Sequence, residues 1–130
     1  MVAIIMKKII LVEDNPDNAD LLVDILDDQY DITLFSDGID LLAAFEKAEA
    51  QTPDLFILDI GLPGIDGVTL MKKLKSMASL QNVPALALTA HAMKDDERQL
   101  LQAGFNGYVS KPIVDETVFT DEIEKLIGAP

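Results

Sequence analysis

An α/β chain with one parallel sheet wrapped by helices on both faces is the fold class this sequence predicts. Three observations carry that expectation. Short apolar runs of strand length alternate with longer stretches of helical period, and each kind occurs five times. The runs LFIL and ALAL are apolar at every position, as strands covered on both sides are. Each run is followed by a helix, the order that builds parallel strands with right-handed crossovers.

The strands are read over residues 9–12, 32–35, 55–58, 85–88 and 108–109. The helical stretches are marked in turn by Leu22, Ile25 and Leu26; by Leu41, Leu42, Phe45 and Ala48; by Leu70, Met71 and Leu74; by Leu100 and Leu101; and by Val118, Phe119, Ile123 and Leu126. Asn15 can cap the first helix with Pro16 in its first turn, and Ser36 or Asp37 opens the second. Gly104 and Gly128 stand where helices stop. There is no repeat and no low-complexity tract, so residues 1–130 read as a single domain with a core of about 7–127 and no output domain.

Composition excludes several classes of function. Ten Lys and Arg face 23 Asp and Glu, a net charge of −13, and phosphate backbones and anionic lipid repel such a surface. Direct DNA binding is therefore not expected. The acidity suits solubility, or a partner with a basic docking face. With no cysteine and His91 as the only histidine, neither a disulfide framework nor a thiolate or multi-histidine metal site can be built. The apolar start is interrupted by Lys7 and Lys8 and ended by Glu13 and Asp14, which fits a leading extension and a buried strand rather than a signal peptide. No run approaches a membrane span, so no membrane insertion and a cytoplasmic location are expected.

In open sheets of this class, ligands bind beyond the carboxyl ends of the strands. Those ends carry Glu13 and Asp14, then Asp59, then Thr89, then Ser110 and Lys111. Three carboxylates at one edge raise each other's pKa, and a hard divalent cation removes that cost. Mg²⁺ suits such a set, since it takes one or two carboxylates together with water and phosphate oxygens. A lysine and a hydroxyl nearby supply what a transferred phosphoryl group needs. An aspartate there can be the nucleophile and form an acyl phosphate. Each residue also has an ordinary role: helix capping for Glu13 and Asp14, turn formation for Asp59, strand filling for Thr89, a solvated loop for Lys111, half-buried packing for Tyr108. Their arrival together at matched strand ends favours the chemical reading.

The pieces LVEDN, LDIGLPGIDG, LTA and GYVSKP, in that order and over essentially the whole chain, resemble the response-regulator receiver family. Thr89 follows Asp59 by 30 residues and Lys111 by 52, the family's usual spacing. The resemblance implies a flavodoxin-like (βα)5 fold with strand order 2-1-3-4-5. It implies that Asp59 is the phosphoacceptor and that Asp14, Asp59 and the backbone carbonyl of Gly61 bind Mg²⁺, with Glu13 acting through water. Thr89 and Lys111 would contact the phosphoryl oxygens, with the Lys111–Pro112 bond often cis, and Tyr108 would be the switch aromatic that turns inward as Thr89 moves. Ala90 is small where a donor must approach. Gly61 lacks the side chain many relatives carry, and His91 occupies another variable position, so both are candidate modulators of dephosphorylation. For His91 the plainer reading, an exposed loop residue, is the favoured one.

Asn18 and the run TAHAMKDDERQLLQAGFNGYVSKP resemble receivers of phosphorelays, hybrid kinases and single-domain cell-cycle regulators. The implied partners are a histidine kinase or histidine phosphotransfer protein, docking on residues 16–26 with Pro112 and Ile113, and a downstream protein target. Enzymatic turnover is not expected beyond Mg²⁺-dependent self-phosphorylation and slow self-dephosphorylation. Met1 and the short ends suit a complete small protein, although a receiver cut from a larger kinase would look much the same. A flavin-binding module is disfavoured because Glu13 and Asp14 would repel the phosphate. A haloacid-dehalogenase-type phosphatase needs a second aspartate where Gly61 stands. A pseudo-receiver would not keep the full set of acids, threonine and lysine.

Overall fold

The computed structural model describes residues 5–90 and 94–130. Five parallel strands, β1 (Lys8–Val12), β2 (Asp31–Phe35), β3 (Leu55–Asp59), β4 (Ala85–Thr89) and β5 (Gly107–Ser110), form one sheet in the order β2-β1-β3-β4-β5. Between and after them run α1 (Pro16–Leu26), α2 (Gly38–Glu46), α3 (Gly67–Lys75), α4 (Lys94–Ala103) and α5 (Glu116–Ile127). A short 3₁₀ turn at Ala78–Leu80, not anticipated from the sequence, leads into β4.

Strand alternation splits the core into two layers. Ile10, Val12, Phe56, Leu58, Ala85 and Ala87 face α2, α3 and α4, where Leu41, Leu70, Leu74 and Leu100 meet them. Ile9, Leu11, Leu55, Ile57, Leu86 and Leu88 face α1 and α5, against Leu22, Leu26, Phe119 and Ile123. The central strands β3 and β4 are buried at every residue, and the edge strand β2 is not. Removing a side chain such as Leu58 from this core to alanine costs about 2–5 kcal/mol.

Asn15 caps α1 by accepting from the Asp17 and Asn18 N–H groups, with Pro16 in the first turn. Asp37 caps α2, Asp66 caps α3 and Asp115 caps α5. Two expectations change. Ala48 lies beyond α2, which ends at Glu46; its φ of 57° takes the chain out of the helix, so its apolar spacing was coincidental. Leu101 and Val118 lie within their helices but are 48% and 54% exposed, so they face outward instead of into the core. Among the described residues, no helix is long and apolar enough to cross a membrane.

Candidate functional site

The parallel register brings the carboxyl ends of β1, β3, β4 and β5 to one edge. Val12 pairs with Leu58, Asp59 with Leu88, and Thr89 with Ser110. The chain leaves β1 through Glu13 and Asp14 before the Asn15 cap, so both acids stand beside the end of β3. Glu13, Asp14 and Asp59 each offer a carboxylate oxygen, and these oxygens all lie within 4.8 Å of one another.

Among the described residues, Glu13, Asp59 and Thr89 are the buried polar or charged side chains, at 2%, 5% and 5% exposure. Burial of charge is costly unless it is compensated, so this concentration at one spot calls for a compensating partner. Lys111 supplies one. Its Nζ donates to Asp59 Oδ2 at 3.0 Å and to Glu13 Oε2 at 3.2 Å. The Gly61 N–H donates to Asp59 Oδ1 at 3.1 Å, and the Asn15 N–H to Glu13 Oε1 at 3.4 Å. Lys111 is itself tied to β4 through its N–H bond to the Thr89 carbonyl, and its bond to Pro112 is cis.

Electrostatics follow from that crowding. Burial, then the nearby Asp59 charge, push the Glu13 pKa up, and the hydrogen bond from Lys111 pulls only part of it back. Burial alone would lower the Lys111 ammonium, but its bonds to Asp59 and Glu13 outweigh this and leave its pKa raised. The site therefore holds net negative charge even with its lysine in place. An all-oxygen donor set with exposed Asp14 at its rim fits Mg²⁺, a hard cation that keeps several waters.

Glu13, Asp14, Asp59, Gly61 and Lys111 thus lie together, and Thr89 stands at the neighbouring end of β4. Ala90 follows directly and is exposed. His91 lies outside the described residues. Tyr108 is half-buried on β5 and shares an open cleft with Glu97 of α4, whose carboxylate pushes the tyrosine pKa up. Asn18, Leu21, Pro112 and Ile113 border a cavity of about 280 Å³ that reaches Lys111.

Gly67 was not foreseen. A Cβ there would lie 2.4 Å from the Asp59 carbonyl oxygen and 2.8 Å from Ile60 Cα. Only glycine lets the start of α3 pack this tightly on the end of β3, and the Gly67 N–H uses that proximity to donate to the Ile60 carbonyl. The available signal was the Asp66-Gly67 pair at the head of a helical pattern.

Residues 9–124 match the family described as response regulator receiver domain. The polar-differentiation response regulator DivK of Brucella anthropi is 37% identical over 108 residues, covering 82% of this chain and 85% of DivK. The receiver domain of the sensor histidine kinase PA1611 from Pseudomonas aeruginosa, crystallised with magnesium in its active-site cleft, is 34% identical with a TM-score of 0.81. That similarity covers 96% of this chain and 100% of the other. The phosphorylated cyanobacterial phytochrome response regulator RcpA is 27% identical, with a TM-score of 0.80 over 95% of this chain and 94% of its own.

Proposed function

Since the chain belongs to the response regulator receiver domain family, we propose that it is a phosphoacceptor switch that takes a phosphoryl group from a phosphohistidine onto Asp59. The observation that carries this reading is selective burial. In an otherwise apolar interior, the buried polar side chains described are Glu13, Asp59 and Thr89, with Lys111 reaching into them.

An Asp59 carboxylate oxygen attacks phosphorus while the bond from phosphorus to the donor imidazole nitrogen breaks. The electron pair leaves on that nitrogen, and the product is an acyl phosphate. Lys111 exchanges a carboxylate oxygen for a phosphoryl oxygen, and the Thr89 hydroxyl would donate to another phosphoryl oxygen. Mg²⁺ is the cofactor this site suits, held by Asp14, Asp59 and the Gly61 carbonyl with Glu13 acting through water; when bound, it neutralises the crowded negative charge.

The first listening face is α1 with Pro112 and Ile113, where a histidine kinase or histidine phosphotransfer protein would dock. The cavity bordered by Asn18 and Leu21 next to Lys111 supports that placement. The output is a protein contact or onward phosphotransfer. Tyr108 and Thr89 would pass the change to the face of α4, β5 and α5, where Leu101, Val114 and Val118 are exposed. The phosphoryl group shifts the population by binding the active arrangement better. With no side chain at Gly61, the phosphoryl group on Asp59 would be left unscreened from water, and His91 would modulate the hydrolysis that resets it. A cytoplasmic location suits these partners.

Intact mass after incubation with acetyl phosphate tests the reading. One added phosphoryl group that requires both Mg²⁺ and Asp59, and is absent from Asp59→Asn, is expected. A folded protein that binds beryllofluoride neither at Asp59 nor elsewhere, and takes no phosphoryl group, would be a pseudo-receiver.

A further inference from the structure

The sheet has two edges, and they are finished differently. β5 is four residues long, with Gly107 and Val109 buried. β2 is five residues long, pairs with β1 on one side in unbroken register, and is buried at none of its positions. Edge strands are ordinarily protected by a lysine, a proline or a bulge, and the run DITLF carries none of these.

Backbone bonds fix which groups that edge presents. The Asp31 N–H donates to the Lys7 carbonyl at 2.9 Å, and the Phe35 carbonyl accepts from the Glu13 N–H at 3.1 Å. In a parallel pair such bonds come from alternate residues, so Asp31, Thr33 and Phe35 turn their backbone groups toward β1. The N–H and C=O groups of Ile32 and Leu34 therefore point away from the sheet.

The side chains alternate as well. Phe35 packs on the layer of α2 and α3, and Ile32 on the layer of α1 and α5. On the first face, Asp31, Thr33 and Phe35 border a cavity of about 280 Å³ with Glu49 and Gln51 from the loop after α2. Lys8 also lines it and donates to the Gln51 side-chain oxygen, so two carboxylates stand there against one cation. On the second face Leu34 is 44% exposed. Charge along this part of the chain has one sign. Between Lys8 and Lys47 there is no lysine or arginine, while Asp27, Asp28, Asp31, Asp37 and Asp40 lie in β2 or a few residues from its ends.

We propose that β2 is a docking edge for an extended segment of a partner protein, which adds to the sheet as a sixth strand. Ile32 and Leu34 supply the backbone bonds, and side chains that alternate along the segment supply the specificity. Those facing the cavity are lysine or arginine, drawn by Asp31 and Glu49; those facing Leu34 are apolar. A second copy of this chain does not suit the edge, because its own β2 would bring Asp31 and the flanking acids against the same acids. The docking needs no group on Asp59, so it goes beyond the phosphoacceptor reading and stands apart from it.

The probe is a synthetic peptide of about seven residues that alternates lysine and valine, long enough to span a strand of this length. A control peptide has the same composition with its lysines and valines in separate blocks. Amide exchange in the full chain, followed by NMR, reads the edge directly. With the alternating peptide, exchange at Ile32 and Leu34 is expected to slow by about tenfold or more. The block peptide should bind at least about tenfold more weakly, and so should the alternating peptide to Leu34→Lys or Glu49→Lys. Should Leu34→Lys fail to fold, Glu49→Lys, at an exposed loop position, gives the same reading. Unchanged exchange at Ile32 and Leu34 under saturating peptide overturns the proposal. Equal binding of the block peptide does so too, since an acidic surface alone would produce it. Slow exchange at both amides before any peptide is added, with a dimer in sedimentation, would give the edge to a second copy and overturn it as well.

Discussion

Lys111 Nζ lies 3.0 Å from Asp59 Oδ2 although the two residues stand 52 positions apart, and the same nitrogen reaches Glu13. One cation from the end of β5 thereby joins two buried carboxylates from the ends of β3 and β1. Lys111→Met leaves those carboxylates facing each other without a counter-charge. Breaking a buried pair costs about 3–5 kcal/mol, and access to water at this rim reduces that to about 2 kcal/mol. A lower urea midpoint in EDTA, largely restored by Mg²⁺, is the expected outcome. The sign with pH follows from the raised Lys111 pKa: the stabilisation is complete below 10.5 and is lost as pH climbs through the folded value.

Glu13 gives a slope of the same sign in a much lower pH window. Its folded pKa is raised above 4.5, so the native state holds this proton more tightly than the unfolded chain does. Its contribution to stability therefore falls as pH rises from 4.5 through the raised value. In metal-free urea titrations, Glu13→Gln should flatten that decline relative to the parent. It should also weaken the stabilisation that Mg²⁺ confers, because one carboxylate of the cluster is gone. Parallel pH curves for the two proteins would mean that Glu13 is not the strained group.

Asp59, Thr89 and Lys111 could be found in sequence because parallel strands end at one edge. Once the apolar runs are located, the residues just past them must be neighbours. Their burial and the reach of Lys111 across Glu13 could not be read that way, since both depend on side-chain packing. Ala48 shows the limit of periodicity: one apolar residue at the right spacing says nothing about a backbone that has already turned away. Gly67 was missed for a related reason. A close backbone approach joins segments that carry no local signature of each other.

Two glycines beside Asp59 should respond differently to the same added methyl group. At Gly67 a Cβ would meet the Asp59 carbonyl oxygen at 2.4 Å, a backbone atom that cannot step aside. Gly67→Ala is expected to cost about 1–3 kcal/mol as α3 is forced off β3, and to weaken Mg²⁺ binding because Asp59 shifts. At Gly61 the nearest atom to an added Cβ is Asp59 Oδ1, at 3.9 Å. Gly61→Ala should stay within about 0.5 kcal/mol of the parent, with its effect confined to the lifetime of the phosphorylated form. Chemical denaturation and Mg²⁺ titration of both variants separate these outcomes.

The docking assignment makes a prediction that the chemistry at Asp59 does not. Leu21 is 44% exposed on α1 and borders the cavity that reaches Lys111, but it donates nothing to the acidic cluster. Leu21→Asp places a charge on the apolar patch a donor protein would cover, without touching the groups that bind phosphoryl oxygens. A charge desolvated against an apolar partner surface costs several kcal/mol, so transfer from a phosphohistidine protein should fall by at least about tenfold. Phosphorylation by acetyl phosphate needs no docking and should stay within about twofold of the parent. If both donors slow equally, the substitution has disturbed the site and α1 is not shown to be the donor's face. If neither slows, the donor approaches Asp59 from elsewhere, and the open side left by Gly61 becomes the surface to probe with the same pair of donors.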